Sequence, residues 1–481
     1  MTRRTVIRGA DILTMDPALG DLAGADVLVE DGRIAAIGRL PPVQGADLVD
    51  ATGLVMLPGF VDTHRHTWQT VLRSALPDAD VAEYATTVLD GFAPHFRPED
   101  VYAANHLGAL AALDAGITTL LDWSHIMNSP DHADEAVRGL ADAGIRAVFA
   151  HGAPGLGRDD WFGADNTNLH PADIRRVRDT HFSSDDQLLT MAMALRGPEL
   201  SSMESTEHDL RLGRELGLRI SVHVGMGALG PLCRAVERLD AAGLLADDTT
   251  YIHCSNLTPN ALARLVDTGG TFSISAAVEA TLGLGSPPFD RLAALGARPS
   301  LSADIETASA GDMFSQLRAA WAVARLAGHA RLAGGDDAGL PTVRDLLASA
   351  TVEGARACGL DGKIGSVTVG KEADLVLLDL SRLNVAPAND PAGAIVQAAD
   401  TSNVAGVFVA GVPVKLSGRL LDTSATGRAL RLGAASRDYL YRAAGLRQAK
   451  GALFVAPPRP GTGGHRPPEY AFRRGRGSTS G

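Results

Sequence analysis

Two histidines stand two residues apart where an apolar run ends, in Leu57-Pro58-Gly59-Phe60-Val61-Asp62-Thr63-His64-Arg65-His66. Side chains alternate across a strand, so residues two apart share a face. His64 and His66 are therefore expected to project together from the strand end, with Arg65 pointing elsewhere. Two convergent imidazoles are half of a metal site, of a kind that suits zinc or iron. Three more apolar runs end in ligand-type residues: Leu218-Arg219-Ile220-Ser221-Val222 leads into His223, Thr249-Thr250-Tyr251-Ile252 into His253, and Pro299-Ser300-Leu301-Ser302-Ala303 into Asp304. A single histidine at a strand end is ordinarily just a hydrogen-bonding residue. Five ligand-type residues that each end an apolar strand are a pattern that chance does not explain.

Residues this far apart in sequence need a fold that gathers strand ends at one place. From about residue 57, strand-like runs alternate with helical patterns. The strands end near His64 and run through Ile117–Leu121, Ile145–Phe149, Leu188–Met193, Leu218–Val222, Thr249–Ile252, Thr271–Ser275 and Pro299–Ala303. Helical stretches such as Val101–Ala115 and Asp131–Ala143 lie between them, several ending near glycine (Gly116, Gly144, Gly217). Eight alternating β and α units suggest an α/β protein built as a (β/α)₈ barrel, whose C-terminal strand ends converge on one mouth. Residues 1–56 read instead as short strands and turns, with Asp31-Gly32 as a hairpin signal. The β texture returns over 361–423, and pairing it with the N-terminal strands gives a small β-sandwich domain made from both chain ends, with the barrel over 57–360. A helix is expected within 424–456. The segment 457–481, rich in Pro, Gly and Arg, is expected to be a disordered tail.

The net charge of −12 argues against a general nucleic-acid binder. Three widely spaced cysteines (Cys233, Cys254, Cys358) fit a reducing compartment without a disulfide framework. The first ten residues are too polar for a signal-peptide core, and no apolar run reaches the roughly 20 residues that span a bilayer. The expectation is a cytoplasmic protein with a small-molecule substrate and no membrane partner.

Pro58-Gly59-Phe60-Val61-Asp62-Thr63-His64-Arg65-His66, the later strand-end histidines and aspartate, and Gly370-Lys371-Glu372-Ala373-Asp374-Leu375-Val376 together resemble the amidohydrolase superfamily. The nearest branch is that of the cytosine, guanine and triazine deaminases and related chlorohydrolases. The resemblance extends to about residue 420 and implies a barrel with one divalent metal. His64, His66, His223 and Asp304 would be its ligands, and His253 would stand beside it to polarise substrate or water. Relatives with two metals use a lysine on the fourth strand; Leu188–Arg196 contains none, so one metal is expected, zinc or else iron. Such an ion lowers the pKa of bound water from about 16 to about 7, and Asp304 would accept its proton and pass it to the leaving group. His253 would steady the developing negative charge. Relatives are often dimers or larger, so a homo-oligomer is a further implication.

One position departs from that pattern. The branch usually carries His-x-x-Glu at the fifth strand, the glutamate moving protons to the ring; here the position is Met226, and a thioether carries no proton. Glu279, just after the seventh strand, and Glu306, two residues beyond Asp304, are the candidate substitutes. Glu279 is the favoured catalytic acid, with a solvated loop carboxylate as its plain alternative. Trp68, Gln69, Trp123 and His125 follow the first and second strands closely and are expected to bind substrate, although aromatic residues also pack loops onto barrels. Cys254 is expected to face away from the site as inert packing. The expected activity is mononuclear, metal-dependent hydrolytic deamination of a nitrogen heterocycle or cyclic amidine. The alternatives are hydrolysis of an amide or carbon–halogen bond, and a barrel that keeps its metal but only binds a metabolite.

Overall fold

Parallel strands covered by helices are buried on both faces and read as continuous apolar runs. Every residue of Phe60–Arg65, Ile117–Ser124 and Arg146–His151 is accordingly buried. The computed structural model describes residues 3–335 and 339–446. In it these three strands are followed in one eight-stranded sheet by Leu189–Leu195, Arg219–Val224, Thr249–His253, Thr271–Ile274 and Ser300–Leu301. Each strand pairs in parallel with its sequence neighbour. The ring closes between the last and the first. His66 N–H donates to the Asp304 carbonyl and Asp304 N–H to the His64 carbonyl, both at 2.9 Å, and Arg65 and Asp304 form a parallel bridge. Deeper in, Thr63 Oγ1 lies 2.7 Å from Ser273 Oγ and 2.8 Å from Ser300 Oγ, tying three strands together. The (β/α)₈ barrel is thus present, with strand limits within a few residues of those expected.

The helices begin and end where local chemistry says they should. Pro98–Asp114 and Pro130–Ala143 each open on proline, whose missing N–H would have no helical partner at that position anyway. The second stops at Gly144, which takes the left-handed conformation at φ 72°. Thr423–Ala443 is the described part of the C-terminal helix and docks on Pro98–Asp114: Ser436 Oγ donates to Asp100 Oδ1 at 2.6 Å, and the Arg97 guanidinium stacks 3.6 Å from the Tyr439 ring centre. The helix stops at Ala443, and residues 444–446, expected to be helical, form a turn with Gly445 at φ 66°; residues 447–456 and the expected tail at 457–481 lie outside the described residues. Among the described residues no helix is long and apolar enough to cross a membrane.

The two chain ends form one nine-stranded sheet, through which hydrogen bonding runs continuously. Arg4–Ile12, Leu22–Glu30, Arg33–Gly38, Asp47–Asp50 and Val55–Pro58 come from before the barrel, and Leu375–Leu378, Val404–Val409, Val412–Leu416 and Arg419–Leu420 from after it. The seam is the antiparallel pair Val55–Pro58 with Leu375–Leu378. The sheet has its own core, drawn from both ends, including Ile7, Val27, Met56, Leu375 and Phe408. Asp31 and Gly32 form the expected hairpin turn, both with positive φ (46° and 84°).

Arg146, the first residue of the third barrel strand, joins sheet to barrel. Its guanidinium bonds Asp374 at 2.9 and 3.0 Å and Glu372 at 2.5 Å, with almost no exposure. The acidic residues of Gly370–Val376 therefore serve as anchors for a buried cation. Gly59, between the sheet seam and the first barrel strand, has no room for a side chain: a Cβ there would lie 2.1 Å from Thr118 Oγ1. Gly59→Ala is expected to destabilise the fold by at least about 1–3 kcal/mol through overpacking, measured as a lower urea midpoint.

Candidate metal centre and active site

Strand ends supply the cluster. His64 lies on the first barrel strand and His66 one residue beyond it; His223 is next to last on the fifth strand and His253 ends the sixth. Asp304 follows the eighth strand at the point of ring closure. His64 Nε2 lies 3.2 Å from His223 Nε2 and 3.4 Å from Asp304 Oδ1, and His66 Nε2 lies 3.3 Å from Asp304 Oδ1. His253 Nε2 is 3.9 Å from Asp304 Oδ2. All five residues are buried. His253 and Asp304 also hold left-handed backbone conformations, at φ 69° and 61°. Such strain in non-glycine residues persists only where surrounding structure enforces it, and it gathers at functional sites.

His66 Nδ1–H donates to the Trp123 carbonyl at 2.9 Å, so in the neutral ring Nε2 is the atom left with a lone pair for a metal. That lone pair faces Asp304 Oδ1, a second acceptor, and a cation held between them satisfies both. Burial lowers the pKa of His64 to about 4 and that of His223 well below its usual value, so both imidazoles are neutral, as metal ligands must be. Burial opposes ionisation of Asp304, but the surrounding imidazoles outweigh it and hold the carboxyl well below the usual range. The donor atoms of His64, His66 and His223, and those of His64, His253 and Asp304, each lie within 4.8 Å of one another. The cluster could hold one metal ion of the zinc type.

Three further carboxylates surround the centre and differ in what holds them. Glu306 is saturated: Arg65 (2.9 Å), Arg73 (2.7 Å) and Thr70 (2.6 Å) occupy its oxygens. Burial is outweighed by the two guanidiniums, and its pKa falls to about 2. It has no proton to give at neutral pH. Glu279, in the short helix Ala276–Thr281, is fully buried rather than solvated. It accepts from Ser275 N–H at 2.9 Å and from His253 Nδ1–H at 3.1 Å, and so stands behind His253. Burial favours neutral His253, yet Glu279 and Asp304 together raise its proton affinity.

The third carboxylate, Glu199, was not singled out from sequence. It lies four residues past the end of the fourth barrel strand, in Arg196-Gly197-Pro198-Glu199. The only signal it offered was that position on a mouth loop. It is 1 % exposed, accepts from Gly225 N–H at 2.5 Å and Met226 N–H at 3.1 Å, and lines the cavity over the metal cluster. Burial pushes its pKa up to about 7 against the pull of those two donors and of His253. The folded carboxyl thus holds its proton more tightly than the unfolded one at 4.5. Its stabilising contribution, about 3 kcal/mol, is fully present below the unfolded value and is lost as pH rises through the folded one. Between about pH 5 and pH 8 the urea midpoint of the wild type should fall more than that of Glu199→Gln; parallel pH profiles would count against this shift.

The cavity measures about 570 Å³, within the usual range for small-ligand sites. His66, His223, Trp123 and His125 line its floor and side, Phe162 and Tyr84 its walls, and Leu89, Leu200 and Leu284 an apolar part, with Arg158, paired to Asp90 at 3.4 Å, as a cation on the lining. Trp123 and His125 thus stand where a substrate could touch them. Trp68 and Gln69 sit behind the wall: Trp68 is fully buried, edge-on to Phe96 and His125, and Gln69 Nε2 donates to the Tyr84 hydroxyl at 2.7 Å. The turn after the first strand becomes a short helix, Thr67–Leu72, whose six residues are all buried. Cys254 is buried in the hydrophobic core, away from the cluster.

Eight parallel strands closed on themselves, with an imidazole–carboxylate cluster and a cavity at their C-terminal mouth, define a barrel hydrolase. The chain belongs to the amidohydrolase family, whose profile matches residues 55–414. It is 27 % identical over 415 residues to the 5′-deoxyadenosine deaminase of Methanosarcina mazei, covering 84 % of this chain and 91 % of that protein. It is 28 % identical over 398 residues to the 5-methylthioadenosine/S-adenosylhomocysteine deaminase of Symbiobacterium thermophilum, covering 80 % and 88 %. The fold is that of an adenosine deaminase from Xanthomonas campestris with bound zinc, at a TM-score of 0.78, 23 % identity and coverage of 91 % of this chain and 98 % of that one. It is equally that of the atrazine chlorohydrolase of Arthrobacter aurescens TC1 complexed with zinc, at 0.79, 20 % identity and coverage of 91 % and 100 %.

Proposed function

We propose that the chain is a cytoplasmic hydrolytic deaminase that uses one zinc ion, held by His64, His66, His223 and Asp304, to replace the exocyclic amine of a nitrogen heterocycle with oxygen. The observation that carries this reading is His66 Nε2 facing Asp304 Oδ1 at 3.3 Å, with Nδ1 on the Trp123 carbonyl, at the floor of a cavity that fits a small ligand. The ion, when bound, supplies a Lewis acid that activates water at neutral pH. Asp304 takes the proton released by the attacking water and delivers it to the departing amine. Glu279 accepts the His253 Nδ1–H and, with Asp304, raises the affinity of the ring for a second proton; the imidazolium favoured in this way offers Nε2–H, on the Asp304 side, to oxygen as it gains negative charge. Glu279 acts here through His253.

The substrate class follows from the cavity walls and the relatives together. Trp123, Phe162 and His125 offer ring faces and edges to a planar heterocycle, while Leu89, Leu200 and Leu284 offer apolar surface and Arg158 a cation to its substituent. One relative is named for 5′-deoxyadenosine and another for 5-methylthioadenosine and S-adenosylhomocysteine, adenosines whose 5′ ends run from a methyl group to an amino-acid thioether. The test is ammonia release by zinc-replete protein from 5′-deoxyadenosine, 5′-methylthioadenosine, adenosine and a panel of aminotriazines. Turnover is expected with at least one of the first two. Fully zinc-loaded protein that frees no ammonia from any of them would sink the proposal.

A further inference from the structure

A deaminase must protonate a ring nitrogen as water adds to the neighbouring carbon, and the proposed ligand set leaves that task without an owner. Asp304 is committed to the water. Glu306 is held ionised by Arg65 and Arg73, and Glu279 is turned toward the far side of His253. Met226, on the turn that follows His223, lines the cavity but has no proton to exchange. Glu199 reaches that same turn from a different strand. Its two oxygens take the N–H groups of Gly225 and Met226, so the carboxyl lies against the backbone of the turn that carries Met226 and lines the same cavity. It is the only carboxylate among the described residues that line the cavity.

A second feature separates Glu199 from an ordinary clamp on the turn. Among the described residues no Arg or Lys pairs with it, whereas Glu306 in the same barrel mouth has two arginines. A buried carboxylate without a cation is destabilising, and fastening two backbone N–H groups needs no ionisable side chain. A group kept neutral or charged by small changes around it is what proton transfer requires.

We propose that Glu199 is the catalytic acid–base of the proposed deamination, serving the substrate's ring nitrogen from the loop after the fourth strand. Protons and bonds balance as follows. Glu199 gives its proton to the ring nitrogen as the attacking water forms the new C–O bond and loses one proton to Asp304. The remaining O–H proton passes to Glu199 as that oxygen becomes a carbonyl, which restores the acid. Asp304 returns the first proton to the amine, the C–N bond breaks, and ammonia leaves. No other reactant is needed.

The inference rests on the deaminase reading, and the experiment separates the two. Zinc-loaded wild type, Glu199→Gln and Glu199→Gln/Met226→Glu are compared for zinc content, kcat and KM with 5′-deoxyadenosine. Glu199→Gln is expected to keep its zinc and a KM within about threefold while kcat falls by about 10²–10⁴-fold. Because Gln turns one acceptor into a donor facing a backbone N–H, loss of activity by itself would also fit a structural clamp. The double variant removes that ambiguity: a glutamate at Met226 should restore at least about tenfold of the loss, which repair of a turn would not do. A Glu199→Gln enzyme within about threefold of wild type, or a folded, zinc-loaded double variant no faster than the single one, overturns the proposal.

A second readout needs neither zinc nor turnover. In metal-free wild type labelled at the glutamate carboxyl carbons, one resonance absent from Glu199→Asp should titrate, and its titration should move when 5′-deoxyadenosine is added. The titratable and charged groups that share its cavity are His66, Tyr84, His125, Arg158 and His223, and His253, Cys233, Cys254 and Arg238 lie around it outside the lining. A titration indifferent to the nucleoside overturns the proposed contact. Wild type that frees no ammonia but shows the nucleoside-dependent shift would remove the deaminase reading and leave Glu199 as a ligand-contacting acid.

Discussion

Asp304→Asn should lower kcat for ammonia release by about 10³-fold or more, the largest effect expected from any single change in this protein. Asparagine keeps the shape and one acceptor oxygen, so the ring-closing backbone bonds to His64 and His66 remain available. It loses the negative charge that His64 and His66 face at 3.4 and 3.3 Å, and it loses all capacity to take a proton from water. Two proposed roles of Asp304 fail together, metal ligand and proton acceptor, and saturating zinc separates them. With excess zinc the variant should recover much of its metal and little of its turnover. His64→Ala should show the other pattern, low zinc content throughout and activity lost in proportion. An Asp304→Asn protein that binds a full zinc and turns over within about tenfold of wild type would remove Asp304 from the proton path.

Arg146→Met carries the largest expected loss of stability. Methionine has comparable length but leaves Glu372 and Asp374 without their buried cation, and removing one partner of such a cluster is destabilising by about 3–5 kcal/mol. Arg146 begins its strand, at the end of the barrel opposite the metal cluster, where side chains bear on stability rather than chemistry. Folded Arg146→Met should therefore keep kcat close to wild type while its urea midpoint drops sharply. Removing the charges as well, in Arg146→Met/Glu372→Gln/Asp374→Asn, should recover part of the loss. A midpoint unchanged in the single variant would mean that water or a shifted side chain takes over from the guanidinium.

Much of the architecture was legible because its signals are local. The apolar runs before His64, His223, His253 and Asp304 mark strands regardless of partners, and the parallel barrel then has to bring their ends together. The turn at Asp31-Gly32 could be read for the same reason, since positive φ at both residues narrows the choice of side chain. What escaped the sequence depends on direction and depth. Glu279 falls within a helical turn that carries it under His253, and nothing in Val278-Glu279-Ala280 distinguishes that from an exposed loop. Trp68 and Gln69 are near the metal cluster in sequence, but the helix Thr67–Leu72 turns them into the protein. Glu199 belongs to a loop whose path is set by contacts with a turn on the next strand, about which its own neighbours in sequence say nothing.

The seam between Val55–Pro58 and Leu375–Leu378 also fixes an order of events during synthesis. Strands made first must wait for partners made after the whole barrel, and contacts of such long sequence separation close late and slowly. A ribosome that has passed residue 370 but not 378 presents a barrel whose strands have all been made beside half a sheet. The edge of that half-sheet, Val-Met-Leu-Pro, is apolar and unpaired, the kind of edge that recruits other chains. The yield of native protein in the cell should therefore depend on how fast the last strands are translated and on whether a chaperone shields that edge in the interval.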